Sequence, residues 1–519
     1  MENKLRRIRH GIGANLLVWL IIMSVLSACL LLTTIFYYQD LGSDGGWYSY
    51  PALALSRGES AGENLTAFPG QVEMPKGIKS KYGFKTYSSI RVLYTWLWFK
   101  LLPQNIYSIK MISLLEALCL YIAVYFLILK FCKDKVIVLL LMAIFINDKA
   151  ILLSAASDFR PDIITAAISC LFFRTVFIKQ PAKRIIAMFL AGCVLVLTHK
   201  TAILPFFCVI AFAVLKNILI GKINAKENYL YGLLAILIVY IYLQRSSIFN
   251  ALLITDMDVF SSPVKAVDRI AEIMKSGLGA IISKEFYRWK TYFLTTNVAQ
   301  LAVLLAGVTL FIYNSKDDFW HDKQAIALLL SIFTGFALFA LIDPHRADVH
   351  VIPIVPFFFI LISQTINVKA FEKRKAQHLL IGLICCLASV SSIVLAGKIA
   401  VEGRNSGYNI RSLSSYFEKV FDDQGRDYLV VGPTEVWPFL PKGINITILD
   451  TTRSGHDFSP LEPLVESVDY VLINKDYQSY NWEKRFLKHF PDYALKKAFF
   501  IGSKESFMQI YNLENLDLH

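Results

Sequence analysis

The chain has 519 residues, 55% of them hydrophobic and 18% charged, with a mean hydropathy of +0.49 and a net charge of +13. Soluble domains carry roughly 45–50% apolar and about 25% charged residues, so this balance excludes an ordinary soluble enzyme, and it equally excludes a disordered or fibrous chain. The positive charge does not point to nucleic acid, because the basic residues fall mainly in short clusters between apolar runs, the arrangement that orients helices in a membrane.

In chain order, Lys4, Arg6, Arg7 and Arg9 precede an apolar run that is too long for a signal-peptide core and has no convincing small-residue cleavage site. An uncleaved first helix with its basic end in the cytoplasm is expected. Runs near the ~20 residues that cross a bilayer follow at 13–36, 111–131, 136–153, 161–178, 185–198, 201–218, 229–243, 293–313, 325–342, 349–367 and 378–398. The expected fold class is therefore a polytopic α-helical membrane protein with about eleven transmembrane helices. An odd number of crossings puts the C-terminal tail on the side opposite the N-terminus.

The basic residues agree with that path. Loops assigned to the cytoplasm carry Lys133 and Lys135; Lys179, Lys183 and Arg184; Lys216, Lys222 and Lys226; Lys316 and Lys323; and Lys369, Lys373, Arg374 and Lys375. The short outer loops hold only Lys149 and Arg160, then Lys200, then Arg346.

Two outer segments, 37–110 and 244–292, are too polar to cross. Within the first, residues 92–102 are apolar and aromatic over about three turns, which suits an interfacial helix with Trp96 and Trp98 at headgroup level. In the second, Val267, Ile270, Ile273 and Met274 repeat at helical spacing. Residues 400–519 have soluble composition and read as helix 412–422, strands 428–431, 446–449 and 470–473, helix 482–489 and a closing hairpin, a small α/β domain. The chain thus divides into a membrane domain, 1–399, and a soluble domain, 400–519, on the outer face. The eight cysteines lie in or beside apolar runs without CxxC spacing, and read as small core residues.

Ionisable residues near a membrane are costly and are functional candidates by default. Four clusters map to the outer face: Asp44; Asp158 with Arg160 and Asp162; His199 with Lys200; and Asp343, His345, Arg346, Asp348 and His350. Each has a plainer reading. Asp44 beside two glycines suits a turn, Arg160-Pro161-Asp162 suits a helix N-terminus, and His199-Lys200 suits an interfacial pair. His345, Asp348 and His350 have the residue types of a metal site but no diagnostic spacing, so no metal is assigned, and a divalent ion is neither required nor excluded. Together the clusters gather carboxylates, histidines and cations at one membrane face, as an active site or a substrate vestibule would.

The stretch Asp44-x3-Tyr48-x3-Ala52-x5-Gly58 resembles the first outer loop of the GT-C glycosyltransferase superfamily, in the branch of the protein O-mannosyltransferases and lipid A aminoarabinose transferases. Leu197-Thr198-His199-Lys200-Thr201 resembles that family's Thr-Lys-Gly element. Arg346 followed by Val351-Ile352-Pro353-Ile354-Val355-Pro356 resembles its Arg-x-aromatic-x-x-Pro-x-x-Pro pattern. The sequence departs from the family where Gly45 follows Asp44 in place of a second acid, and where Ala347 and Asp348 replace the aromatic residue.

The resemblance implies transfer of a sugar, with inversion, from a polyprenyl-phosphate donor to a lipid, glycan or protein acceptor at the outer face of the membrane. A phosphate leaving group needs nearby positive charge rather than a general acid, whereas an attacking hydroxyl needs one base. Asp44 is the expected base; Lys200 and Arg346, then His199 and His345, are the expected phosphate ligands; Asp158 and Asp162 are secondary acidic candidates. Absence of cysteine from the outer soluble parts favours a bacterial inner membrane, with membrane lipids as partners. A transporter or flippase of a lipid-linked or anionic substrate is the alternative, and it predicts polar groups near the bilayer midplane and internal repeats. A receptor or assembly factor that binds through 400–519 is a third reading.

Overall fold

The computed structural model describes residues 2–39, 89–219, 225–244, 278–290, 298–314, 323–342, 351–366, 371–406, 409–422, 426–433, 445–449, 461–474, 481–502 and 507–516, with isolated positions elsewhere; Asp158 and Lys200 are described in backbone alone. Val267, Ile270, Ile273 and Met274 lie outside the described residues.

Helices occupy every apolar run. They are α1 (Glu2–Tyr38), α2 (Ser89–Leu101), α3 (Ile106–Phe131), α4 (Lys135–Ile146), α5 (Lys149–Leu153), α6 (Asp162–Thr175), α7 (Pro181–Thr198), α8 (Ile203–Leu219), α9 (Ala225–Leu243), α10 (Leu278–Lys290), α11 (Val298–Asn314), α12 (Lys323–Ile342), α13 (Val355–Thr365) and α14 (Phe371–Ser406). Among the described residues, five helices are long and apolar enough to cross a bilayer, and six if α4 and α5 count as one bent span. Four more are apolar but shorter. The expected count of eleven crossings thus goes beyond what helix length alone supports.

The expected single helix over 136–153 is broken, and its halves meet at 52°. The cause is local: Asn147 ends α4, and Asp148 caps α5 by accepting the Ile151 amide. The Asn147 side chain then ties the break to α1, donating to Ser24 O and Oγ and to Ala143 O and accepting from Ser27 Oγ. In an apolar surrounding these polar groups must satisfy one another, and this set does.

Two strands of two residues, Lys85–Thr86 (β1) and Asp258–Val259 (β2), pair in parallel and join the two polar segments 37–110 and 244–292. Near the C-terminus, α15 (Ile410–Val420) begins with a capping box between Asn409 and Ser412. It leads into β3 (Asp427–Val431), β4 (Asn445–Leu449), β5 (Tyr470–Asn474), α16 (Trp482–His489), β6 (Tyr493–Gly502) and β7 (Phe507–Asn515). The sheet order is β4-β3-β5-β7-β6, with β4, β3 and β5 parallel and β6–β7 an antiparallel hairpin.

Alternation along the strands gives the sheet two faces. Leu429, Val431, Val471 and Ile473 pack with Trp482 and Phe486 of α16. Tyr428, Val430, Leu472 and Ile510 pack with Leu413, Phe417 and Phe421. That second cluster continues into Val92 and Phe99 of α2, Ile106, Ile109 and Ile112 of α3, Ala52 and Phe159. Ala52 of the 37–110 segment, the chain around Phe159 and the C-terminal sheet therefore sit at one end of the helical bundle.

Candidate functional site

The loop joining α5 to α6 is irregular throughout. Ser154–Asp158 form a π-helical turn, and Phe159 is left-handed at φ 47°, ψ 48°. For a residue with a Cβ this conformation costs about 1–2 kcal/mol and persists where the surroundings over-determine it. Here they do. The Phe159 ring is buried, the Arg91 guanidinium lies 3.8 Å above its centroid, and Arg91 Nη1 donates to the Phe159 carbonyl.

Arg91 is itself fixed from below. Its Nε and Nη2 donate to Glu116 Oε1 and Oε2, both at 2.8 Å, and Nη2 also reaches Ser113 Oγ at 3.3 Å. Tyr94, one turn along α2, donates its hydroxyl to Glu116 Oε1. Burial first, and the Glu116 charge second, push the Tyr94 phenol well above its usual range, so it stays a donor.

Past Phe159, Arg160 Nε donates to Asp162 Oδ2 at 3.0 Å, with both side chains buried. The Thr201 hydroxyl donates to Asp162 Oδ1 at 3.2 Å and lies 2.7 Å from His199 Nδ1. The Thr201 amide approaches the same nitrogen at 3.4 Å, near the limit of a hydrogen bond. His199 is extended, at φ −157° and ψ 159°, and starts the 3-10 turn Lys200–Ala202 between α7 and α8. The chain from Asp162 through Thr201 to His199 thereby locks the start of α6 to the backbone that carries Lys200.

A third anchor closes α1. Lys110, buried in the first turn and a half of α3, donates to Phe36 O at 3.1 Å and Gln39 O at 2.6 Å. A cation on the last carbonyls of a helix satisfies acceptors that have no partner within it. This fixes the point where the chain leaves α1 toward Asp44. The far side of that segment is tied to α2 and its exit: Lys100 Nζ donates to Ser56 O and Gln104 Nε2 to Ser56 Oγ, each at 2.8 Å.

Of the residues expected from sequence, the structure brings Asp162 and His199 into contact, 3.7 Å between Oδ1 and Nδ1. Lys200 follows His199 directly and Asp158 ends the π-helical turn, both described in backbone alone, and Asp44, His345 and Arg346 lie outside the described residues. The chain after Arg346 is placed by Ser169 of α6, whose hydroxyl lies 3.3 Å from the Pro353 carbonyl. Among the described residues, no three His, Cys, Asp or Glu side chains group as metal ligands. Sequence reasoning missed Arg91, Glu116, Tyr94 and Lys110 and gave Thr201 no role. Glu116 carried a usable signal, since it is a carboxylate inside an apolar run.

No family model matches the sequence, and no curated protein matches it. Solved structures do. The apo structure of ArnT from Cupriavidus metallidurans superposes with a TM-score of 0.55 at 10% identity, covering 95% of this chain and 98% of that one. The structure of the same ArnT bound to undecaprenyl phosphate gives 0.51 at 10% identity, with 96% and 98% covered. The chain has the ArnT fold. The likeness runs through both the helical bundle and the C-terminal sheet, so the anchors around Phe159, Asp162 and Lys110 belong to an ArnT-like architecture over nearly its whole length.

Proposed function

We propose that the protein is an integral membrane glycosyltransferase of the GT-C type that moves a sugar, with inversion, from a polyprenyl-phosphate donor to an acceptor at the outer face of the membrane. The observation that carries this reading is the whole-chain likeness to ArnT, one of whose structures holds undecaprenyl phosphate.

In this reading the chain crosses a bacterial inner membrane eleven times, with its N-terminus in the cytoplasm. Residues 1–399 form the membrane domain, and 400–519 a periplasmic domain that packs on the interfacial helix α2. Asp44 is the general base toward the acceptor hydroxyl. Lys200 and Arg346, with His345, hold the carrier phosphate and stabilise its charge as it leaves. The His199 side chain is buried against Thr201 and Asp162, so its contribution is to set the backbone at Lys200. Asp162 positions rather than reacts, and Asp158 is the carboxylate that would take over if Asp44 were not the base. The irregular 154–162 loop and the two outer segments wall the site and exclude water.

The transporter reading draws on the broken helix and on Ser24, Ser27 and Asn147, polar groups inside the spans. These bond one another completely, which suits a staple better than a substrate path. The test is sugar transfer by the purified protein from labelled polyprenyl-phosphate sugars to the lipid, glycan and protein fractions of a cell-envelope extract. Label in one fraction supports the proposal and names the acceptor class. Label in none, with folded protein, removes it.

A further inference from the structure

Three cations collect at the end of the bundle remote from Asp162 and His199. Lys130 lies in the last turn of α3, Arg174 in the last turn of α6 and Lys216 in the last turn of α8. All three helices begin at the end where Phe159, Asp162 and Thr201 meet. At 1.5 Å per residue, Lys130 is ~21 Å along α3 from Glu116, and Arg174 is ~18 Å along α6 from Asp162.

The three side chains are exposed or half-buried and lie against aromatic rings. Lys130 Nζ lies 3.6 Å and Lys216 Nζ 4.4 Å from the centroid of one ring, Phe177, and Arg174 lies 5.9 Å from that of Phe126. Beside Lys130 and Arg174 opens a surface cleft of about 390 Å³, lined by these two cations with Leu171, Thr175 and Phe177 among others, while Lys216 stands behind Phe177. Among the described residues, no carboxylate is within salt-bridge distance of these cations. Glu227, held by Arg184 at 2.7 Å and by Asn217 at 3.3 Å, faces Lys216 electrostatically, which leaves Lys130 and Arg174 as the pair on the cleft. Converging like charges repel, and an anion in the cleft would turn that repulsion into attraction.

The mouth of the cleft indicates what carries the anion. Phe126 and Leu171 beside it are 50% and 52% exposed on the outside of the bundle, where the solvent is lipid. A free phosphate would use the cations alone. An amphiphile with a phosphate head and an acyl chain would use both surfaces, and basic pockets between helices at a membrane face recognise such headgroups. We infer that this cleft binds the phosphate headgroup of an anionic phospholipid from the adjacent leaflet, with an acyl chain lying over Phe126 and Leu171. The inference stands apart from the proposed transferase activity, because the cleft is at the other end of the helices.

The test is native mass spectrometry and thermal melting of the full-length protein in neutral detergent, titrated with phosphatidylglycerol, phosphatidylcholine or inorganic phosphate. Phosphatidylglycerol should be retained and should raise Tm, while phosphatidylcholine and inorganic phosphate should do neither. Changing Lys130 and Arg174 to Gln should weaken phosphatidylglycerol binding about fivefold for each cation removed. If that variant fails to fold, Leu171→Trp keeps the charges, fills the mouth and should weaken binding as well. Equal binding of the two lipids, unchanged affinity in the variants, or inorganic phosphate that stabilises as well as the lipid and displaces it would each overturn the inference.

Discussion

Arg91 and Glu116 face each other as a two-pronged ion pair, 2.8 Å at each contact and 1% and 4% exposed, and the guanidinium that Glu116 aligns is the one that holds the Phe159 carbonyl. The carboxylate sits on α3 and the arginine on α2, so the pair couples the bundle to the loop at its end. Removing one partner of a buried pair leaves an uncompensated charge and costs about 3–5 kcal/mol. Arg91→Met is therefore expected to lower Tm severely, and the double variant Arg91→Met with Glu116→Leu to recover most of that loss. Sugar transfer should stay low in both, because neither holds Phe159. A double variant with full activity would show that the pair serves stability alone.

Phe159 offers a separate reading of the strained loop. Changing it to Ala or to Gly removes the same buried ring, but only Gly adopts the left-handed conformation freely. Phe159→Gly should be the more stable variant by about 1 kcal/mol, the reverse of the order expected in a regular helix. Thermal melts of the two proteins side by side check the sign.

The hydroxyl of Thr201 joins Asp162 to His199. Thr201→Val should leave the fold intact and slow transfer by about ten- to a hundredfold, since small displacements of a positioned cation such as Lys200 carry large kinetic penalties. Thr201→Ser should restore the rate. Measuring kcat and KM for both variants distinguishes loss of position from loss of packing.

Gly403 on α14 stands where a Cβ would overlap the ring of Tyr38, the last residue of α1. Gly to Ala ordinarily stabilises a helix interior by about 1 kcal/mol; Gly403→Ala should instead lower Tm. Because Tyr38 leads into the segment bearing Asp44, activity should fall too. Adding Tyr38→Ala should restore stability by removing the clash, which a melt of the double variant would reveal.

The fold was largely legible because its signals are local. Apolar runs of bilayer length gave the helices, and short apolar runs such as Tyr428-Leu429-Val430-Val431 gave the strands. The break between α4 and α5 was equally local, written in Asn147-Asp148, yet the apolar residues on either side masked it. The site was legible only as a set of charged loops. Which charge meets which depends on contacts between distant positions: Arg91 with Glu116, Asp162 with Thr201, Lys110 with Gln39. No spacing rule reports those pairings. Glu116 could have been flagged as the polar exception in its run, but its partner on α2 could not be named without the fold.

In the proposed function the loops gathered around Phe159, Asp162 and the end of α1 serve a transferase that uses a polyprenyl-phosphate sugar. Release of free polyprenyl phosphate by the purified full-length protein, wild type against Asp44→Asn, tests it most directly, with an envelope extract supplying the acceptor. Release is expected from the wild type, with a rate lower by about a hundredfold or more in Asp44→Asn, the scale of a lost general base. Wild-type protein that is folded, supplied with native lipids and a panel of donors, yet releases no polyprenyl phosphate would contradict it.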